Sequence, residues 1–148
     1  ALQQLKYPNM KKREKVSNVM TKDVLTINVT NSLKAANALF SKHNIRHIPV
    51  VSGDNLIGIL SKTDILRISF GNTFGEDQAG SDEAIFDMLS INQVMKHSPI
   101  TVGPEDTLKE AAEVLADKEF HALPVVEGEK LVGIITTTDI IKYFLDQF

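Results

Sequence analysis

The chain has no cysteine and no tryptophan, and only two tyrosines, five prolines and eight glycines among 148 residues. Without cysteine it forms no disulfide, no thiolate zinc or iron–sulfur site and no cysteine nucleophile. That composition suits a reducing, cytoplasmic setting. An aromatic content of 6% without tryptophan argues against a stacking surface for single-stranded nucleic acid. No apolar run approaches the roughly 18 residues a membrane span requires, and Ala1 to Pro8 lack the apolar core of a secretory signal. A start methionine is missing too, which points to an excised or trimmed piece. What is present is ordinary for one soluble globular domain: 43% hydrophobic and 24% charged residues. A chain of this length buries about 70% of its unfolded surface and needs no staple or metal.

The net charge of −3 is unevenly spread. Residues 1–15 carry Lys6, Lys11, Lys12, Arg13 and Lys15 against Glu14, a basic tail of +4. Such a tail suits nucleic acid or anionic lipid, but a solvated terminus is the simpler reading. Residues 69–90 sum to −5, and the Gly-, Asp- and Glu-rich segment Gly71–Asp87 reads as a linker.

Shifting the chain by 75 residues aligns 16–68 with 91–143 without a gap, and about 16 of 53 positions are identical. Val19-Met20 meets Val94-Met95, Pro49-Val50-Val51 meets Pro124-Val125-Val126, and Thr63-Asp64-Ile65 meets Thr138-Asp139-Ile140. The chain is therefore a tandem repeat, and two units this small are expected to share one core. The division read here is tail 1–15, repeat 16–68, linker 69–90, repeat 91–143 and a C-terminal end 144–148. The first repeat sums to +3 and the second to −4.

Each repeat predicts strand, helix, strand, strand, helix, an α/β (α+β) unit. A short apolar stretch (Leu25–Val29; Ile100–Val102) precedes a helix start at Ser32 or Thr107. Thr107 with Glu110 predicts a capping box, weakened in the first repeat by Ala35. Leu33, Ala36, Leu39 and Phe40 keep helical spacing, as do Leu108, Ala111, Ala112 and Leu115. A hairpin follows, Ile48–Val51 with Leu56–Leu60 and Leu123–Val126 with Leu131–Ile135, turning at Gly53 and Gly128. The strands are nearly wholly apolar, so both faces are expected to be covered.

The informative segment closes each hairpin: Gly58-Ile59-Leu60-Ser61-Lys62-Thr63-Asp64, repeated as Gly133-Ile134-Ile135-Thr136-Thr137-Thr138-Asp139. A glycine inside a buried strand marks close approach by something else. Ser61 or Thr136 at the N-cap with Asp64 or Asp139 three residues on is a good helix start in its own right. Its recurrence at the same phase also fits a ligand. A helix start offers amides to a phosphate, and an aspartate accepts hydrogen bonds from a vicinal diol. Together these suit a ribose phosphate.

These two segments, each preceded by a Pro-containing strand (Ile48-Pro49-Val50; Leu123-Pro124-Val125), resemble the cystathionine-β-synthase (CBS) domain, whose pairs are called Bateman modules. The resemblance covers 16–143, about six-sevenths of the chain. It implies two CBS units packed about a pseudo-two-fold axis, dimerised through helix faces. It further implies clefts between the units for an adenosyl ligand: AMP, ADP, ATP or S-adenosylmethionine. By the same resemblance Asp64 and Asp139 take the ribose hydroxyls, and Ser61, Thr63, Thr136 and Thr138 serve ribose and phosphate. Thr26 and Thr101 lie near the base. Arg46, His47 and His121, just before the Pro strands of Ile48, Pro49 and Pro124, offer basic groups to phosphate. Ala122 replaces His47 in the second repeat, and Thr101-Val102-Gly103-Pro104 replaces Thr26-Ile27-Asn28-Val29, so the two clefts are expected to bind unequally.

No nucleophile, P-loop, dinucleotide fingerprint or metal constellation accompanies the motif. His43 and His47 have a metal spacing only if one helix runs through both, and Pro49 argues against that. Met20 and Met95 read as core. The expected function is therefore regulatory and not enzymatic: an adenine nucleotide as regulatory ligand, no catalytic cofactor, no nucleic acid, no membrane, a homodimer, and an effector protein that reads the bound state. The alternative is a ligand-free dimerisation or interaction module that keeps the fold.

Overall fold

The computed structural model describes residues 13–70, 84–118 and 120–148. Most of the basic tail and of the acidic linker, residues 1–12 and 71–83, lies outside the described residues. The elements in chain order are α1 (Val16–Val19), β1 (Ile27–Asn28), α2 (Leu33–His43), β2 (His47–Ser52), β3 (Asn55–Ser61), α3 (Lys62–Phe70), α4 (Ile91–Val94), β4 (Lys96–His97), α5 (Leu108–Lys118), β5 (Ala122–Glu127), β6 (Lys130–Thr136) and α6 (Thr137–Asp146). The mixed α and β composition and the repeated strand–helix–hairpin–helix order match the sequence reading. Residues 84–88, inside the stretch read as linker, are helical, and Phe86 there is buried.

The chain forms two compact units, and they are not the two sequence repeats. One comprises Leu25–Pro99; the other joins the segment ending at Val24 to Ile100–Phe148. In the first, β1 runs parallel to β2 (Ile27 opposite Val50), β2 pairs antiparallel with β3, and β3 pairs antiparallel with β4. In the second, β5 and β6 form the hairpin, Val102 bridges Val125 in parallel, and Thr21 bridges Ile134 antiparallel. Each unit thus takes its last strand position, and the short helix before it, from the lead-in segment of the other repeat.

The expectation of one shared core is corrected by two separate clusters of buried residues. Leu33, Ala36, Phe40, Ile48, Val50 and Leu60 form one with Ile91 and Met95. Leu108, Ala111, Leu115, Leu123, Val125 and Ile135 form the other, with Val16 buried among them. These sets match almost position for position at the 75-residue shift. A lone strand–helix–hairpin–helix leaves an edge of its sheet and a flank of its core uncovered, and the lead-in segment fills both, the edge with its extended residues and the core with its helix. Val16 and Ile91, one from each lead-in helix, are both fully buried. Consecutive residues Ile48 to Val51 are all buried, so β2 is covered on both faces.

Local signals set the boundaries. Gly53 and Gly128 adopt φ of 64° in the hairpin turns, a conformation that favours glycine. Ser32 accepts from the Ala35 amide at 3.0 Å, a one-sided cap as expected. Thr107 accepts from the Glu110 amide at 3.1 Å, while the Glu110 carboxylate returns to the Thr107 hydroxyl at 3.0 Å. A full capping box, unread in the sequence, joins Ser90 and Gln93 at the start of α4. Lys15 and Glu105 form an exposed ion pair at 2.7 Å, and that hydrogen bond raises the lysine pKa.

Candidate functional site

The glycine of each motif explains the paired Val-Met upstream. A Cβ on Gly133 would lie 2.6 Å from the Met20 sulfur and 3.0 Å from the Thr21 carbonyl oxygen. A Cβ on Gly58 would lie 2.5 Å from the Met95 sulfur and 2.8 Å from the Lys96 carbonyl oxygen. What approaches the glycine is thus the lead-in segment, and Met95 is core as read, with Met20 packed at the edge of its own cluster.

At the end of each hairpin the strand passes directly into a helix, α3 or α6. Thr136 accepts from the Asp139 amide at 3.0 Å, and Asp139 Oδ2 accepts from the Thr136 amide at 3.0 Å, a complete capping box. The Ser61 hydroxyl accepts from the Asp64 amide at 3.0 Å, and Asp64 Oδ2 accepts from the Ser61 amide at 3.2 Å. In both copies, then, the cap engages Oδ2 and leaves Oδ1 facing elsewhere. Asp139 Oδ1 takes the Thr21 hydroxyl at 3.1 Å. Asp64 Oδ1 takes Arg67 Nη1 at 3.5 Å, and the Asp64 side chain is 5% exposed against 72% for Arg67. Neither Thr21 nor Arg67 was picked out from the sequence. Thr21 lies 118 residues from its partner, whereas Arg67 stands at the ordinary i,i+3 helix spacing.

The other named residues arrange themselves around these helix starts. The first amide of α3, on Lys62, donates to the Arg46 carbonyl at 2.8 Å, and that of α6, on Thr137, donates to the His121 carbonyl at 3.0 Å. Arg46 and His121 therefore hold matched positions beside the helix starts, and both are exposed. His47 lies opposite Ser61 in the β2–β3 ladder, and Ala122 opposite Thr136 in β5–β6. Ile48, Pro49, Ala122 and Pro124 are buried backbone-bearing positions of the hairpins. Thr63 and Thr138 are exposed in the first helical turns. Thr26 and Thr101 are half-buried just before β1 and Val102. The structure joins neither of them by a side-chain hydrogen bond to the helix starts, among the described residues.

The stretches after Thr26 and Thr101 differ as the sequences do. Asn28 Oδ1 accepts from the Thr30 amide and hydroxyl at 3.0 and 2.8 Å. In the other unit, Asp106 closes the loop by accepting from the Gly103 amide at 2.7 Å. A separate groove of about 550 Å³ lies between α5 and α6, lined by Ala112, Leu115, Ala116, Phe120, Ile140 and Ile141 with His121 and Thr137. Helix α6 has no buried residue and exposes Ile141, Phe144, Leu145 and, just past its end, Phe148.

The sequence pattern of the CBS domain matches residues 16–71 and 91–146. The chain belongs to the CBS domain family. It is 32% identical over 133 residues to the protein MJ1225 of Methanocaldococcus jannaschii, covering 88% of this chain and 47% of that one. The solved structure of that protein superposes with a TM-score of 0.78 at 29% identity, over 97% of this chain and 52% of that one. The inosine-5'-monophosphate dehydrogenase of Korarchaeum cryptofilum is 34% identical over 134 residues, 89% of this chain and 25% of the enzyme. The chain thus spans a quarter to a half of the length of these curated relatives. The fold alone is shared with CBSX2 of Arabidopsis thaliana, solved in complex with AMP: TM-score 0.75, 24% identity, 90% of this chain and 97% of that one. No helix among the described residues is long and apolar enough to cross a membrane.

Proposed function

We propose that this CBS pair is a regulatory module that binds an adenosine-containing nucleotide and passes its occupancy to a partner, with no chemistry of its own. The observation that carries the reading is the carboxylate oxygen that the helix cap leaves to other partners in Asp64 and Asp139, met at present by exposed Arg67 and Thr21 side chains. Each cap uses Oδ2, and Oδ1 is the acceptor a ribose hydroxyl would meet beside a helix start able to hold phosphate. Arg46 and His121, whose carbonyls are held by the first amides of those helices, supply the basic side chains for phosphate. The AMP complex of CBSX2 supports adenosine as the ligand class. Binding energy then shifts a conformational or oligomeric equilibrium.

The reading includes a homodimer, supported by the exposed apolar side of α6 and the neighbouring groove of small and aliphatic residues. A cytoplasmic location is supported by the absence of cysteine.

Thermal denaturation against AMP, ADP, ATP and S-adenosylmethionine tests the reading. A ligand at about 100 times its dissociation constant stabilises the folded state by roughly 2.7 kcal/mol. No shift with any of the four, together with an intact dimer, would leave the ligand-free interaction module standing instead.

A further inference from the structure

We propose that the Thr21 hydroxyl is an internal competitor for the diol acceptor of Asp139, which weakens ribose binding at that copy of the motif; this rests on the reading of Asp139 as a ribose acceptor. Thr21 Oγ1 lies 3.1 Å from Oδ1 and 3.3 Å from Oδ2, facing both carboxylate oxygens as a bound diol would. Its hydroxyl is the only side-chain donor to that carboxylate among the described residues.

The residue is fixed at its backbone, and its exposed side chain is held by the Asp139 carboxylate alone among the described residues. The Thr21 amide donates to the Ile134 carbonyl at 2.8 Å, and the Ile134 amide returns to the Thr21 carbonyl at 3.0 Å. Met20, next to it, packs against Gly133. A ligand hydroxyl therefore displaces the Thr21 hydroxyl by rotation about χ1 and leaves the segment in place. Thr21 is exposed, so water takes up the displaced hydroxyl. The matched position in the other unit is Lys96, with no hydroxyl, and Asp64 there meets Arg67. Competition by a hydroxyl is therefore particular to Asp139, and at Asp64 the guanidinium of Arg67 holds the corresponding oxygen.

Calorimetric titrations with AMP and with 2′,3′-dideoxy-AMP, in an Asp64→Asn background so that one copy is read, test this. Thr21→Val keeps the shape and removes the donor. It raises AMP affinity about three- to tenfold, the weight of one displaced hydrogen bond, and leaves dideoxy-AMP affinity within about a factor of two. Thr21→Ser, which keeps the donor, matches the parent and guards against an effect of folding. AMP affinity that is unchanged or lower in Thr21→Val overturns the inference while the nucleotide reading survives. Equal gains for AMP and dideoxy-AMP overturn it as well. Absence of AMP binding to parent and variants alike overturns the inference, and the nucleotide reading falls with it when ADP, ATP and S-adenosylmethionine fail to bind as well.

Discussion

Gly133 and Met20 are packed so closely that the glycine leaves no room for a methyl group: a Cβ there would lie 2.6 Å from the methionine sulfur. Gly58 and Met95 repeat the relationship at 2.5 Å. Two signals 37 residues apart in the second case, and 113 apart in the first, are halves of one contact. They hold each lead-in segment against the hairpin it completes.

Alanine at either glycine should therefore destabilise the fold by about 1–3 kcal/mol through overpacking. Gly58→Ala should cost more, because its new methyl also meets the Lys96 carbonyl at 2.8 Å, against 3.0 Å for the Thr21 carbonyl at Gly133. A backbone oxygen moves less readily than a flexible thioether. Urea denaturation of the two variants measures the difference, and wild-type stability in both would remove the contact from the account.

The two aspartates should differ in what they contribute to folding. Asp139→Ala removes one capping bond, the exposed bond from the Thr21 hydroxyl and a charge near the helix start, about 1 kcal/mol together. Asp64 is 5% exposed. Its loss strands the Ser61 amide in a more enclosed place, so Asp64→Ala should cost about 1–3 kcal/mol. Chemical denaturation of both variants without ligand checks the order.

Arg46→Ala should lower affinity for phosphorylated adenosines and spare adenosine itself, because Arg46 is exposed and its carbonyl holds the first amide of α3. Added salt should weaken AMP binding in the parent more than in the variant. Competition titrations with adenosine, AMP and ATP read both effects. Equal losses for all three would mean that Arg46 acts through folding.

The apolar side of α6 gives a fourth expectation. Phe144 and Leu145 are 48% and 61% exposed. Replacing either by Glu should convert a dimer to monomer in sedimentation equilibrium while leaving the far-UV dichroism unchanged. A dimer that persists in both variants would place the interface elsewhere.

The hairpins, the amphipathic helices and the helix-start caps were legible because each rests on neighbours within a few residues: Gly53 and Gly128 at the turns, Ser61 with Asp64, Thr136 with Asp139. Helices α3 and α6 begin at Lys62 and Thr137, directly after Ser61 and Thr136, as the cap reading requires. The exchange of lead-in segments was not legible. Helices α1 and α4 have four residues each, too few to show a period, and a bridge such as Thr21 with Ile134 joins residues with no local relation. That exchange is also why one shared core was expected and two are found: Val16 belongs to the first repeat in sequence and to the second in packing. Thr21 escaped for the same reason, since its position gains meaning only once it lies beside Asp139.

The most direct measurement is calorimetric titration of AMP into the parent chain and into the Asp64→Ala/Asp139→Ala double variant, with the fold of each confirmed by its dichroism and unfolding midpoint. The account predicts that the parent binds AMP and that the folded double variant loses at least about tenfold in affinity, as removal of charged hydrogen-bond acceptors requires. A folded double variant that binds AMP as tightly as the parent would contradict it, and would leave both aspartates as helix caps alone.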